Sequence, residues 1–116
     1  MVKYLASVEE YQCALKDAGE KLVVIDFTAK WCGPCQRIAP DFEKLSTEFP
    51  DIVLYKVDVD DASDVAQVCG ISSMPTFIFF KSGKQVFYSR AHLLIWRTNK
   101  VTLALSQCES DATDHK

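Results

Sequence analysis

The run "KLVVIDFTAKWCGPCQRIAPDFEKLSTEF", Lys21 to Phe49, constrains the fold more than any other part of the chain. Its first half is an apolar, β-branched stretch of the kind that forms a strand buried on both faces. Its second half repeats Ile38, Phe42, Leu45 and Phe49 at helical spacing, with Pro50 just past the end and Pro40 inside the run as an expected kink. "IVLYKVDV", Ile52 to Val59, reads as a second buried strand. Strand, helix and strand in that order close as a parallel pair joined by a right-handed crossover.

The flanking segments extend this unit. "SVEEYQCALKDAG" predicts a helix in which Ser7 and Glu10 form a capping box, Val8, Tyr11 and Leu15 share one face, and Gly19 ends the helix. Ser63 is expected to cap a short helix through Val68, closed by Gly70. Pro75 leads into the strand "TFIFF", and "KSGK" turns it tightly into "QVFYS", which forces an antiparallel pair. The fold class is therefore α/β, a mixed central sheet flanked by helices. A chain of 116 residues with 48% hydrophobic content fills one such core. The expected organisation is a single domain over 1–108 and a polar tail over 109–116. Beyond Ser89, "RAHLLIWRTNKVTLALSQC" sets Leu94, Val101, Leu105 and Cys108 on one helical face but also carries Ile95, Thr98, Val101 and Thr102, poor helix formers. A C-terminal helix stays open at this point.

Charge and length narrow the function. The net charge of −3 gives no surplus of Lys and Arg for phosphate, so nucleic acid is not an expected partner. No apolar run approaches a bilayer-spanning length, and "MVKYLASVEEYQ" lacks the basic flank and apolar stretch of a secretory signal. A cytoplasmic chain is the expectation. The five cysteines are an odd number without a framework spacing, which fits a reducing compartment.

Cys32 and Cys35 stand out against that background, with only Gly33 and Pro34 between them. A structural zinc site needs four ligands, and the only histidines, His92 and His115, lie outside the strand–helix pattern. A structural disulfide over so short a loop has little chain-entropy benefit. Redox chemistry is the reading that the strand before the pair and the helix after it favour. Cys32 falls at the strand-to-helix junction, where unpaired N–H groups and the positive helix end stabilise a thiolate. Cys35, in the first helical turn, can reach it to close a disulfide. Gly33 leaves room for another chain, and Pro34 fits the start of a helix.

"WCGPC" after "VVIDFTAK", with "SSMPTFIFFKSGK" some forty residues later, resembles the thioredoxin family, in particular its small cytosolic animal type. The resemblance runs from Met1 to about Val86. It implies the thioredoxin fold and a protein dithiol–disulfide oxidoreductase that reduces client disulfides. By resemblance, Cys32 is the attacking cysteine and Cys35 the resolving one. Asp26 matches a buried aspartate assisting proton transfer at Cys35, and Lys56 a lysine near that aspartate. Trp31 matches the tryptophan flanking the site, Pro75 the cis proline facing the disulfide, and Met74 a residue whose backbone binds client peptide. The implied substrate groove is Trp31, Gly33, Pro34, Met74 and Pro75. The resemblance further implies no bound cofactor, with electrons from NADPH through a flavin thioredoxin reductase as partner. The chain itself has no phosphate-binding glycine loop.

The remaining features have plainer readings. Trp31 is expected to present an apolar wall to substrate. Lys56 either serves Asp26 or simply snorkels from a buried strand. Cys13 and Cys69 are expected to be buried hydrophobes. Asp58, Asp60, Asp61 and Asp64 lack the glycine and distal glutamate of a calcium loop and are expected to form a solvated loop and helix cap. "YSRAHLLIW" departs from the family's pattern, with no glycine after Gly83, and an alternative exon or a shifted frame is the expected origin of so abrupt a change. A monomer is expected, with self-association through Leu93–Trp96 as the alternative. A non-catalytic binding module, with turnover impaired by the altered ending, is the second functional reading.

Overall fold

The computed structural model describes residues 2–89 and contains five strands and three helices among them. In chain order these are β1 (Lys3–Tyr4), α1 (Val8–Ala18), β2 (Val23–Thr28), α2 (Gly33–Glu48), β3 (Val53–Asp58), α3 (Ser63–Val68), β4 (Thr76–Lys81) and β5 (Lys84–Ser89). The sheet runs β1–β3–β2–β4–β5. β1, β3 and β2 are parallel to one another, while β4 pairs antiparallel with β2 and β5 antiparallel with β4. This is the mixed sheet that the strand–helix–strand order and the tight turn dictate. The altered ending, its helix, Cys108, the Leu93–Trp96 cluster and the polar tail lie outside the described residues.

Alternation along β2 divides the core between the two sheet faces. Val24 packs with Ile38, Phe42 and Leu45 of α2 and with Phe77 and Phe79 of β4. Val23, Ile25 and Phe27 point to the other face, where they meet Ala14 and Val65 and the partly buried Val8, Tyr11 and Leu15. Asp26 and Lys56 are Cα partners across β2 and β3, and by the same alternation they face α2.

Local chemistry sets the element ends. Ser7 Oγ accepts the Glu10 N–H at 3.1 Å, and the returning Glu10 Oε1 accepts from Ala6 N at 3.0 Å, one residue earlier than a strict capping box. Gly19 (φ +61°) ends α1, and Ser82 and Gly83, both at positive φ, make the hairpin turn. α2 starts at Gly33 and continues through Pro40 as one span, with Pro40 exposed.

Three expectations need correction. Ser63 is not a cap: it is the first residue of α3, which has Ala62 at its N-cap and no side-chain capping bond. Asp58 is not solvated but buried, because its Oδ1 accepts the N–H groups of Asp60 at 2.9 Å and Asp61 at 3.3 Å and so folds the loop around itself. Cys13 is exposed on α1 and so is not a core residue, whereas Cys69 is half-buried and packs against the core. The strand β1 carries no sequence signal, since two residues cannot display a period.

Candidate active site

Topology collects the site at one edge of the sheet. The parallel strands β2 and β3 both end there, so the loops that follow them lie side by side, and Val59 N–H donates to Thr28 O at 2.9 Å across the gap. β4 runs the other way, and Thr76 pairs with Phe27, so the start of β4 sits at the same edge. Strand ends at which chain directions diverge are where open α/β sheets build their sites.

Cys32 and Cys35 form a disulfide, with Cα atoms 5.3 Å apart. Cys32 is the N-cap residue of α2, with an extended backbone (φ −86°, ψ 109°). Its Sγ accepts the Cys35 N–H at 3.3 Å, doing with sulfur what a serine cap does with oxygen. The same N–H and the positive end of the helix stabilise a thiolate once the disulfide is reduced. Pro34 stands in the first turn, where its missing N–H costs nothing. Both cysteines are buried residues: Cys35 is 1% and Cys32 6% exposed. They pack with Ala29, Val59 and Met74 in a small apolar cluster.

The rim of the site is open. Gly33 is exposed, and among the described residues a Cβ there would meet only Arg37 Nη1, at 3.5 Å, so none of them crowds the edge beside Cys32. Trp31 is 68% exposed and is pinned by its indole N–H, which donates to Asp60 Oδ2 at 2.8 Å. Because the backbone of Asp60 is held in turn by Asp58, the buried carboxylate fixes the tryptophan indirectly. The Met74–Pro75 peptide bond is cis, and Cys32 Sγ lies 3.8 Å from the Met74 carbonyl oxygen. As a disulfide sulfur it has no proton to give, so this is a packing contact. The turn into β4 is held by Thr76, whose hydroxyl donates to Ser73 O at 2.6 Å.

On the face of β2 that looks toward α2, Asp26 is 1% exposed, and its Oδ1 has no hydrogen-bond partner among the described residues. Burial disfavours the charged carboxylate and pushes its pKa up to about 7, against the opposing pull of the Lys56 ammonium. Lys56 is itself buried: its Nζ reaches Glu43 Oε2 at 3.4 Å and lies 5.8 Å from the centre of the Tyr4 ring. On the other face of the sheet, desolvation first and then the Cys69 thiol beside it push the Tyr11 hydroxyl well above its ordinary range.

The structure thus brings Cys32, Cys35, Trp31, Gly33, Pro34, Met74 and Pro75 to one edge and sets Asp26 and Lys56 under α2. Sequence reasoning missed Asp60, which it saw only as one acid in a cluster, and Glu43 and Tyr4. The available signal for Glu43 was its place next to Phe42, on the flank of the buried helical stripe. Among the described residues no three His, Cys, Asp or Glu side chains gather as a metal site, and no helix is long and apolar enough to cross a membrane.

Comparison with known proteins agrees with this geometry. The thioredoxin family model matches residues 2–93. A thioredoxin of Geodia cydonium is 58% identical over 84 residues, covering 72% of this chain and 79% of that protein. Thioredoxin-2 of Saccharomyces cerevisiae is 56% identical over 86 residues, covering 74% and 82%. Among solved structures, Fasciola hepatica thioredoxin superposes with a TM-score of 0.82 at 33% identity, over 91% of this chain and 98% of that one.

Proposed function

The chain belongs to the thioredoxin family and is a protein dithiol–disulfide oxidoreductase, and from that premise we propose that Cys32 is its attacking thiolate and Cys35 its resolving thiol. The observation that carries this assignment is the placement of the Cys32 sulfur at the N-cap of α2, accepting the Cys35 N–H. Of the two cysteines Cys32 is also the more exposed residue.

In the reduced protein, the Cys32 thiolate attacks one sulfur of a client disulfide. The client S–S bond breaks, one client thiolate leaves and takes a proton from water, and a mixed disulfide joins Cys32 to the client. Cys35 then gives up its proton and attacks the Cys32 sulfur. The mixed disulfide breaks, the second client thiolate leaves, and the Cys32–Cys35 disulfide remains. Two electrons have passed to the client.

Asp26 is the acceptor for the Cys35 proton in this reading. A carboxyl that titrates near 7 is partly ionised at neutral pH, where it serves equally to take a proton and to return one. Trp31, Gly33, Pro34, Met74 and Pro75 form the groove for the client, with the Met74 backbone beside the reacting sulfur. The dithiol is restored by a flavin-dependent thioredoxin reductase drawing on NADPH, and the protein acts as a cytoplasmic monomer of one domain, residues 1–108.

The test is NADPH consumption with thioredoxin reductase and insulin as the disulfide substrate, comparing the chain with Cys35→Ser. Sustained turnover that disappears in the variant is expected. A folded chain without turnover, or a variant that turns over normally, contradicts the assignment.

A further inference from the structure

We infer that Glu43 is a positioning residue for the redox reaction: together with the Tyr4 ring it holds the Lys56 ammonium, and it shares that positive charge with Asp26. The inference rests on the reading of Asp26 as the proton acceptor for Cys35.

Four contacts carry it. Glu43 Oε2 lies 3.4 Å from Lys56 Nζ. Its other oxygen, Oε1, accepts the Val2 N–H at 3.3 Å, which ties the carboxylate to the chain just before β1. Lys56 is the Cα partner of both Tyr4 and Asp26, so one ammonium stands between an edge strand and a central one. Its Nζ lies 5.8 Å from the Tyr4 ring centre, a cation–π distance. Asp26 and the Lys56 stem are buried, whereas the Glu43 side chain is 40% exposed. Glu43 and Lys56 therefore connect the buried carboxyl to the surface.

Among the described residues, few other charged groups lie on the elements around Asp26. β1 supplies Tyr4, α2 supplies Cys35 and Glu43, and β3 supplies Lys56 with Asp58 two residues further along. β4 sets the apolar Phe77 opposite Asp26, and Lys81 stands at the far end of that strand.

The electrostatics has a definite sign. An unopposed ammonium beside Asp26 favours its carboxylate form. Glu43 cancels part of that field and adds a negative charge of its own, so it keeps Asp26 protonated to higher pH. Neutralising Glu43 leaves the Tyr4 ring and a glutamine oxygen to hold Lys56 in place, while the cancelling charge is gone. Asp26 then ionises at lower pH.

The experiment is a pH titration of the Asp26 carboxyl carbon by NMR in the oxidised protein, for the wild type, Glu43→Gln, Glu43→Asp and Lys56→Gln. Glu43→Gln is expected to lower the midpoint by roughly half a pH unit to one unit, the range for a charge acting through a partly solvated medium. Glu43→Asp keeps the charge and is expected to stay close to the wild type, and Lys56→Gln is expected to raise the midpoint. A Glu43→Gln midpoint that is unchanged or raised overturns the inference. So does a Glu43→Asp midpoint displaced as far as that of Glu43→Gln, since packing rather than charge would then be at work. In turnover, the acid limb of the kcat profile is expected to move down with the midpoint, giving roughly three- to fivefold more activity at pH 6, and Asp26→Asn is expected to abolish the difference. A midpoint that moves while the limb stays put would remove Asp26 from the proton transfer and leave its coupling to Glu43 standing.

Discussion

Asp26 makes the stability of this protein depend on pH in a way that a single substitution isolates. Folded, its carboxyl keeps its proton up to about pH 7; unfolded, it releases it near 3.8. Below pH 3.8 both states are protonated and the group is neutral in the balance. Between 3.8 and 7 the unfolded chain ionises and the folded one does not, so stability falls as pH rises. Above 7 both are ionised and the full cost remains. At about 1.36 kcal/mol for each pH unit between the two midpoints, that cost is roughly 4 kcal/mol. This is a large share of the ~5–15 kcal/mol that holds a small domain together. Asp26→Asn keeps the shape and removes the charge. Burying an amide in place of an acid adds an offset, but the offset does not change with pH. Urea denaturation of the two oxidised proteins at pH 5 and pH 8 is therefore expected to show the variant gaining roughly 2.5–3 kcal/mol more over the wild type at pH 8 than at pH 5. Both pH values keep exposed carboxylates ionised and the paired cysteines out of the titration. A gain that is the same at both, or larger at pH 5, would refute the reasoning.

Three further substitutions test the packing and the turns. Phe42 is fully buried between α2 and the sheet, with its ring centre 5.8 Å from that of Phe77, so Phe42→Ala is expected to cost about 3–5 kcal/mol in urea denaturation; a loss below 1 kcal/mol would show that α2 does not seal this face. Gly83 has φ +79° with nothing among the described residues within 4 Å of an added Cβ, so Gly83→Ala is expected to cost about 1 kcal/mol through the backbone alone. Gly33 lies in the first turn of α2 without a positive φ, so Gly33→Ala is expected to cost nothing and to raise stability by up to about 0.5 kcal/mol. Equal losses at the two glycines would contradict that distinction.

The parts of this molecule that were legible in its sequence are those written in long apolar runs and in dense motifs. α2 carries enough buried positions to display a helical period, β2, β3 and β4 are apolar runs long enough to read as buried strands, and the Ser82–Gly83 turn needs residues that accept a positive φ. Contacts between elements were not legible. Glu43, Tyr4 and Lys56 come from a helix and two strands, and only the register of β1 and β3 brings them together. Asp58 resembled a solvated acid because nothing in "VDVDDAS" says that its carboxylate will collect two backbone N–H groups. Cys13 was misjudged for a similar reason: cysteine is buried on average, but this position falls on the outer side of α1. The cis bond at Met74–Pro75 was expected from the family resemblance, since X–Pro bonds are trans in most folded proteins.

The central claim is that Cys32 attacks and Cys35 resolves, and trapping the mixed disulfide tests it most directly. Each single variant, Cys32→Ser and Cys35→Ser, would be mixed in reduced form with insulin and the adducts read by mass spectrometry under non-reducing conditions. Cys35→Ser is expected to accumulate a stable adduct through Cys32, because the thiol that would release the client is gone, and Cys32→Ser is expected to accumulate none. An adduct that forms through Cys35 in Cys32→Ser, with none in Cys35→Ser, would reverse the assignment and contradict the role given to the cap of α2.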